Sequence, residues 1–305
     1  MPFLVPYFEE VLAPYFEEVA FGLLFLIVIV IILAAIEVFA RPRWVIFVFK
    51  KVINNYKDNL AKKYGKIGTI FHRNESLSIN DAYIPLQFRA NDSSIDIHDT
   101  IFAKSNQKSI ILGNAGSGKT VFLQHLLSSY TQNKWDKLPH FPIPIFIELK
   151  TLDFSFDKIE ESLQECLYNE LIHDNTDDES VKDFLLRTLK NGQLVLLLNG
   201  LDEVKIDPTK TKNLIDLLKK DSYKKCRVIF TCRLEAWEQF KELFFCYQQI
   251  EIKSFDDSQI HQFLSNSWQM PKGKLVAEFM GLLNNFPKIK ILAQNPLLLT
   301  GVTSI

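Results

Sequence analysis

The chain has 305 residues, 47% of them hydrophobic, and a formal net charge of −1. A balance so near neutral gives no global argument for nucleic acid as a partner, and 25 Phe against 11 Gly speaks against disordered and glycine-rich fibrous classes. Cys166, Cys226, Cys232 and Cys246 show no CxxC or metal-ligand spacing and the 6 histidines are scattered, which leaves ordinary thiols in a reducing compartment.

Residues 1–18 read as a short amphipathic lead-in. They include a duplication in which PYFEEVLA at 6–13 is followed by PYFEEVAF at 14–21. From Val19 to Ile36 the run VAFGLLFLIVIVIILAAI carries no charge. As a helix it measures about 27 Å, close to the hydrocarbon thickness of a bilayer. Apolarity all round, without a polar face, points to a span and not to a helix lying on the surface. A transmembrane helix is therefore expected over 19–40. Glu9, Glu10, Glu17 and Glu18 precede it, and Arg41, Arg43, Lys50 and Lys51 follow it. That asymmetry predicts a single pass with the N-terminus outside and the bulk of the chain in the cytoplasm. A cleaved signal peptide fits worse, because it needs a basic start and a shorter apolar core.

Residues 41–82 are basic and mixed, and read as a juxtamembrane helix followed by a linker. Their lysines could meet anionic headgroups, although a solvated helix face is the better explanation. From Tyr83 (YIPLQF) strands and helices alternate. Strands are expected at Ser109–Gly113, Ile143–Leu149, Leu194–Leu198, Cys226–Thr231 and Tyr247–Ile252. Pro144 implies an edge position or a strand end. Helices are expected at Lys119–Tyr130, Ile159–Ile172, Val181–Leu189 (stopped by Asn191-Gly192) and Lys212–Lys219. This alternation predicts an α/β fold, a doubly wound parallel sheet over 83–253. Over 254–305 the pattern is helical only. It begins with a serine-initiated start in SFDDSQIHQFL, continues through Leu275–Leu283 and Pro287–Ala293, and ends in NPLLLTGVTSI.

GNAGSGKT at 113–120 fits G-x-x-x-x-G-K-[ST] between an expected strand and an expected helix, the context that gives the motif its meaning. Gly113, Asn114, Ala115, Gly116, Ser117 and Gly118 would wrap a phosphate with backbone N–H groups at a helix N-terminus. Lys119 would bridge the β and γ phosphates and the Thr120 hydroxyl would ligate Mg2+. NKWD at Asn133–Asp136 imitates a guanine-reading motif. It sits directly after the phosphate-loop helix with no DxxG partner, and reads as a loop.

The phosphate loop, NGLDEV at 199–204 and RVIFTCR at 227–233, flanked by YIPLQF and NPLLL, resemble the NACHT family of signalling NTPases over about residues 83 to 305. The resemblance implies ATP or ADP as ligand, with Mg2+ near Thr120, Asn199 and Asp202. It implies that Glu203 orients the attacking water, that Arg233 senses the γ-phosphate, and that Pro296 packs on the bound nucleotide. It also implies assembly into a homo-oligomer on activation, with an unidentified protein partner in a defence or stress pathway. No nucleic-acid partner is expected. Two departures stand out: Asn199 takes the place of the family's usual Asp, and Leu234 that of its usual Pro. Family members continue into a winged helix and sensor repeats, so the chain reads as a fragment or a truncated member, 254–305 being the start of a helical domain.

An amide at 199 can still accept a hydrogen bond, but it lacks the charge that fixes a metal's position, so binding should suffer less than turnover. The reading is a membrane-anchored nucleotide switch with slow hydrolysis. The alternatives are a non-catalytic interaction protein stabilised by nucleotide and a P-loop kinase, the latter without the paired-arginine lid it would need.

Overall fold

In the computed structural model the described residues are 49–68, 76–91, 93–102, 108–136, 138, 142–171, 178–204, 208–266 and 274–303. The expected lead-in and membrane span lie outside them, and no helix among the described residues is long and apolar enough to cross a membrane. The chain divides into two compact units, Met1–Ile53 and Asn54–Ile305. Residues 49–53 of the first are helical, and the second carries the sheet.

Nine strands follow in chain order among the described residues: β1 Lys66–Gly68, β2 Ser76–Ser78, β3 Phe88–Ala90, β4 Ser93–Ile95, β5 Lys108–Gly113, β6 Ile143–Glu148, β7 Leu194–Asn199, β8 Arg227–Arg233 and β9 Gln248–Ile252. β1 and β2 form a small antiparallel pair, and the other seven form one sheet in the order β4-β3-β9-β5-β8-β7-β6. From β9 to β6 every pairing is parallel. The expected all-parallel sheet needs one correction. β3 pairs antiparallel with both β9 and β4, so the sheet is mixed and ends in a hairpin. Three-residue strands are too short to display a period of two, which is why alternation did not reveal them. Asn91 turns that hairpin at φ 48°, left-handed backbone that asparagine tolerates better than most residues.

β7 is buried at all six positions, and β5, β6 and β8 nearly so. Helices on both faces demand this, because a strand covered twice has no side to leave polar. Pro144 sits in β6, the edge strand, as anticipated. Ile143 N donates to Gln193 O, so the next residue turns its polar side away from the sheet, where a missing N–H does no harm. Helical residues 54–64 cover that edge through Tyr56, Leu60 and Tyr64, all buried. Tyr56 Oη donates to Pro144 O at 2.6 Å, and Tyr64 meets Phe146 edge-on.

Beyond β9 the chain is helical, as expected, over Asp257–Asn266, Lys274–Asn285, Pro287–Ala293 and Pro296–Thr303. The first of these starts later than the serine signal implies. Gln259 N donates to Asp256 Oδ1 and Asp256 N to Gln259 Oε1, a reciprocal cap that satisfies two donors at once. These helices share one core with the segment before the sheet: Ile84, Phe255, Ile260, Leu264, Leu283 and Leu299 are all buried in it. The flanks YIPLQF and NPLLL thus belong to the same packed cluster.

Burial holds the Tyr56 phenol well above its ordinary pKa, so it remains a donor at any working pH. Tyr56→Phe should lower stability by about 1–2 kcal/mol, read as a smaller denaturant midpoint at unchanged slope. An unmoved midpoint would show that the bond to Pro144 contributes nothing.

Candidate functional site

The parallel register brings four strand tips to one edge. Gly113 pairs with Arg233 across β5 and β8, and Glu148 with Asn199 across β6 and β7. A crevice outside the carboxyl ends of such strands is where open α/β sheets take ligands.

Gly113 leaves β5 and the chain turns through Gly116 (φ 74°) and Gly118 (φ 94°) into the helix Lys119–Thr131. Both angles lie in the left-handed region where a side chain is strained. Lys119 Nζ donates to Gly113 O at 2.8 Å and to Asn114 O at 2.9 Å. Burial lowers its pKa and Arg233 adds to the effect, while Asp202 opposes it.

Asn199 ends β7 at 6% exposure. Its Oδ1 accepts from Thr120 Oγ1 at 3.3 Å and from Thr231 Oγ1 at 2.8 Å. The Thr231 hydroxyl in turn accepts from Gly200 N at 2.9 Å, and Leu201 N donates to Thr231 O. Since the Gly200 N–H can only donate, the Thr231 proton is directed at Asn199, which fixes the amide with its oxygen toward Thr120. Gly200 itself needs φ 81°, and the Glu203 carboxyl folds back over it.

Asp202 pairs with Arg233. Both of its oxygens serve Arg233: Oδ1 accepts from the backbone N at 3.0 Å and Oδ2 from Nε at 2.9 Å. The carboxylate is 7% exposed and the guanidinium side chain 45%. Arginine carries five N–H donors, and the Nε one is thereby used. Between Thr231 and Arg233, burial and the Asp202 charge push the Cys232 thiol up to about 12, so it takes no part as a thiolate near neutral pH. Among the described residues no group of three or more His, Cys, Asp or Glu could by itself hold a metal.

The last helix reaches the loop. Asn295 Nδ2 donates to Ala115 O at 2.8 Å and Leu297 N to Gly116 O at 3.3 Å. Pro296 stands between these two contacts. Sequence reasoning singled out Pro296 and missed Asn295, whose side chain also caps its own helix by accepting from Leu297 N and Leu298 N. The Asn-Pro start announced the cap, while the second use of the side chain had no sequence signal. On the other side Leu86 approaches Gly118, 3.5 Å from where a β-carbon would stand.

A glycine-lined turn between a buried strand and a helix, with lysine, threonine and a polar strand tip converging on it, defines a P-loop nucleoside-triphosphatase domain. The family model for the NACHT domain matches residues 107–269, more than half of the chain, and the chain belongs to that family. No curated protein matches it. Among solved structures, Cdc6p from Pyrobaculum aerophilum is similar over 56% of this chain at 15% identity and a TM-score of 0.36. This chain spans 45% of that one, and a likeness so low establishes no shared activity.

Thr231→Val would leave the Gly200 N–H and Asn199 Oδ1 each short of a partner in a buried place. Thermal unfolding should show a loss of about 1–3 kcal/mol, most of it recovered in Thr231→Ser. Equal behaviour of the two variants would contradict the role given to the hydroxyl.

Proposed function

We propose that this NACHT domain is a membrane-anchored nucleotide switch that holds ATP or ADP with Mg2+ and hydrolyses slowly. The observation that carries the reading is the contact of Thr120 Oγ1 with Asn199 Oδ1. A threonine that lends its oxygen to magnesium must give its proton to an acceptor, and Asn199 supplies one. The donor set therefore fits a cation that keeps most of its waters and takes phosphate oxygens. Magnesium bound there would be held by Thr120 and the phosphates and would offset their charge. What Asn199 withholds is the negative charge that orders the ion for phosphoryl transfer.

In this reading Gly113 to Thr120 cradle the phosphates and Lys119 exchanges its two carbonyl contacts for phosphate oxygens. Arg233, already turned to the strand edge by Asp202, meets the γ-phosphate. Glu203 orients water, and Pro296 packs near the nucleotide. The helical segment after β9 would bind better to one nucleotide state than to the other, which is the condition for any switch. Release of that segment would permit homo-oligomer assembly and signalling to a protein partner. Exposed Leu282, Phe286 and Ile291 offer apolar surface for such assembly. The charge-free run Val19–Ile36 and the basic residues after it support a single-pass anchor with the NTPase domain cytoplasmic.

Lys119→Ala should weaken ATP binding by about ten-fold or more, and Asn199→Asp should raise turnover by about ten-fold, measured by phosphate release at saturating ATP. A parent chain that already hydrolyses briskly and gains nothing from Asn199→Asp would contradict slow hydrolysis. The anchor is tested separately. The full chain should stay with membranes through alkaline carbonate washing, and a chain lacking residues 1–40 should not. Release of the full chain by carbonate would remove the anchor from the account.

A further inference from the structure

Resting on the nucleotide reading above, we infer that Asn295 is a positioning residue that orients the phosphate loop from outside, so that docking of the last helix and grip on phosphate are one equilibrium. A peptide unit is planar and its C=O and N–H point in opposite directions. Every described peptide bond is trans. Asn295 Nδ2 holds Ala115 O on the outer side of the loop, and this turns the Gly116 N–H of the same unit toward the inner side. The next unit is held at both of its ends. Leu297 N holds Gly116 O, and the Ser117 N–H closes the turn onto Asn114 O at 3.2 Å. Inward N–H groups are what the loop offers an anion, and donors on their carbonyls strengthen them.

The fit leaves no slack. A β-carbon on Gly116 would stand 2.7 Å from Leu297 Cβ and 2.8 Å from Asn295 Oδ1, so the helix start can seat only on a glycine. The clasp is braced from behind, because Phe255 N donates to Gln294 O and Leu299 lies in the core with Ile84 and Phe255. When the helix withdraws, both peptides lose their outer partners, and the unit joining Ala115 to Gly116 can rotate. Phosphate is then held less tightly, and by reciprocity bound phosphate draws the helix in.

Asn295→Ser separates this role from the helix cap. Serine caps about as well as asparagine but is too short to reach Ala115 O. On the full chain, release of N-methylanthraniloyl-ADP should quicken about three- to ten-fold, the range that one lost hydrogen bond implies, and the nucleotide-free protein, which makes the same bond, should lose no more than about 0.5–1.5 kcal/mol of stability. An unchanged release rate overturns the clasp. A loss of nucleotide-free stability well beyond one hydrogen bond also overturns it, since it would mean the helix itself has come undone. A parent chain that takes up no labelled ADP brings down the nucleotide reading itself, a result distinguishable from failure of the clasp.

Discussion

The parallel register of β5, β8, β7 and β6 is the constraint from which the site follows. Gly113 stops beside Arg233, Leu198 lies beside Phe230, and Asn199 stops beside Glu148. With that alignment a loop leaving β5 meets the tips of β7 and β8 without any long side chain having to reach. Slippage by one residue would exchange the side chains of two buried faces, and close packing on both sides resists that. Thr231 completes the lock, since one hydroxyl joins the turn after β7 to the body of β8. The rigidity of the site is thus inherited from packing that has nothing to do with nucleotide.

Two electrostatic choices distinguish this chain within that frame. At the tip of β7 a neutral amide stands where a carboxylate is usual in the family, and its oxygen is already aimed by Thr231 and Thr120. One turn later a true carboxylate, Asp202, is buried but committed to Arg233. A partly buried pair of this kind costs desolvation on both sides and is tolerable only with good geometry, which the two contacts at one residue provide. Under the proposed function, a phosphate arriving at the crevice would meet Lys119 and Arg233, an arrangement that suits holding a polyanion better than splitting it.

Much of this was legible beforehand. The buried strands, the helices with a repeating apolar face and the phosphate loop could be placed to within a few residues, because long periodic segments leave little choice. Pro144 foretold a sheet edge or a strand end, and it lies near the start of the edge strand. The failures were local or distant. The β3–β4 hairpin is too short to show a period, and the cap at Asp256 was hidden by the serine two residues before it. The pairing of Asp202 with Arg233 joins residues on different strands, and no pattern along the chain announces it. Tyr56, Leu60 and Tyr64 recur every four residues, so the buried stripe of the helix before β1 was available and was overlooked beside its lysines. Asn295 was visible as a helix start, but its hold on Ala115 depends on folding the last helix back over a loop far away in sequence.

Hydrogen–deuterium exchange with and without ADP tests most directly the claim that loop and helix act together around a bound polyphosphate. Peptides covering 113–120 and peptides covering 294–300 should gain protection together as ADP is added, with the same midpoint. Protection confined to the loop, or none at either place, would contradict the account.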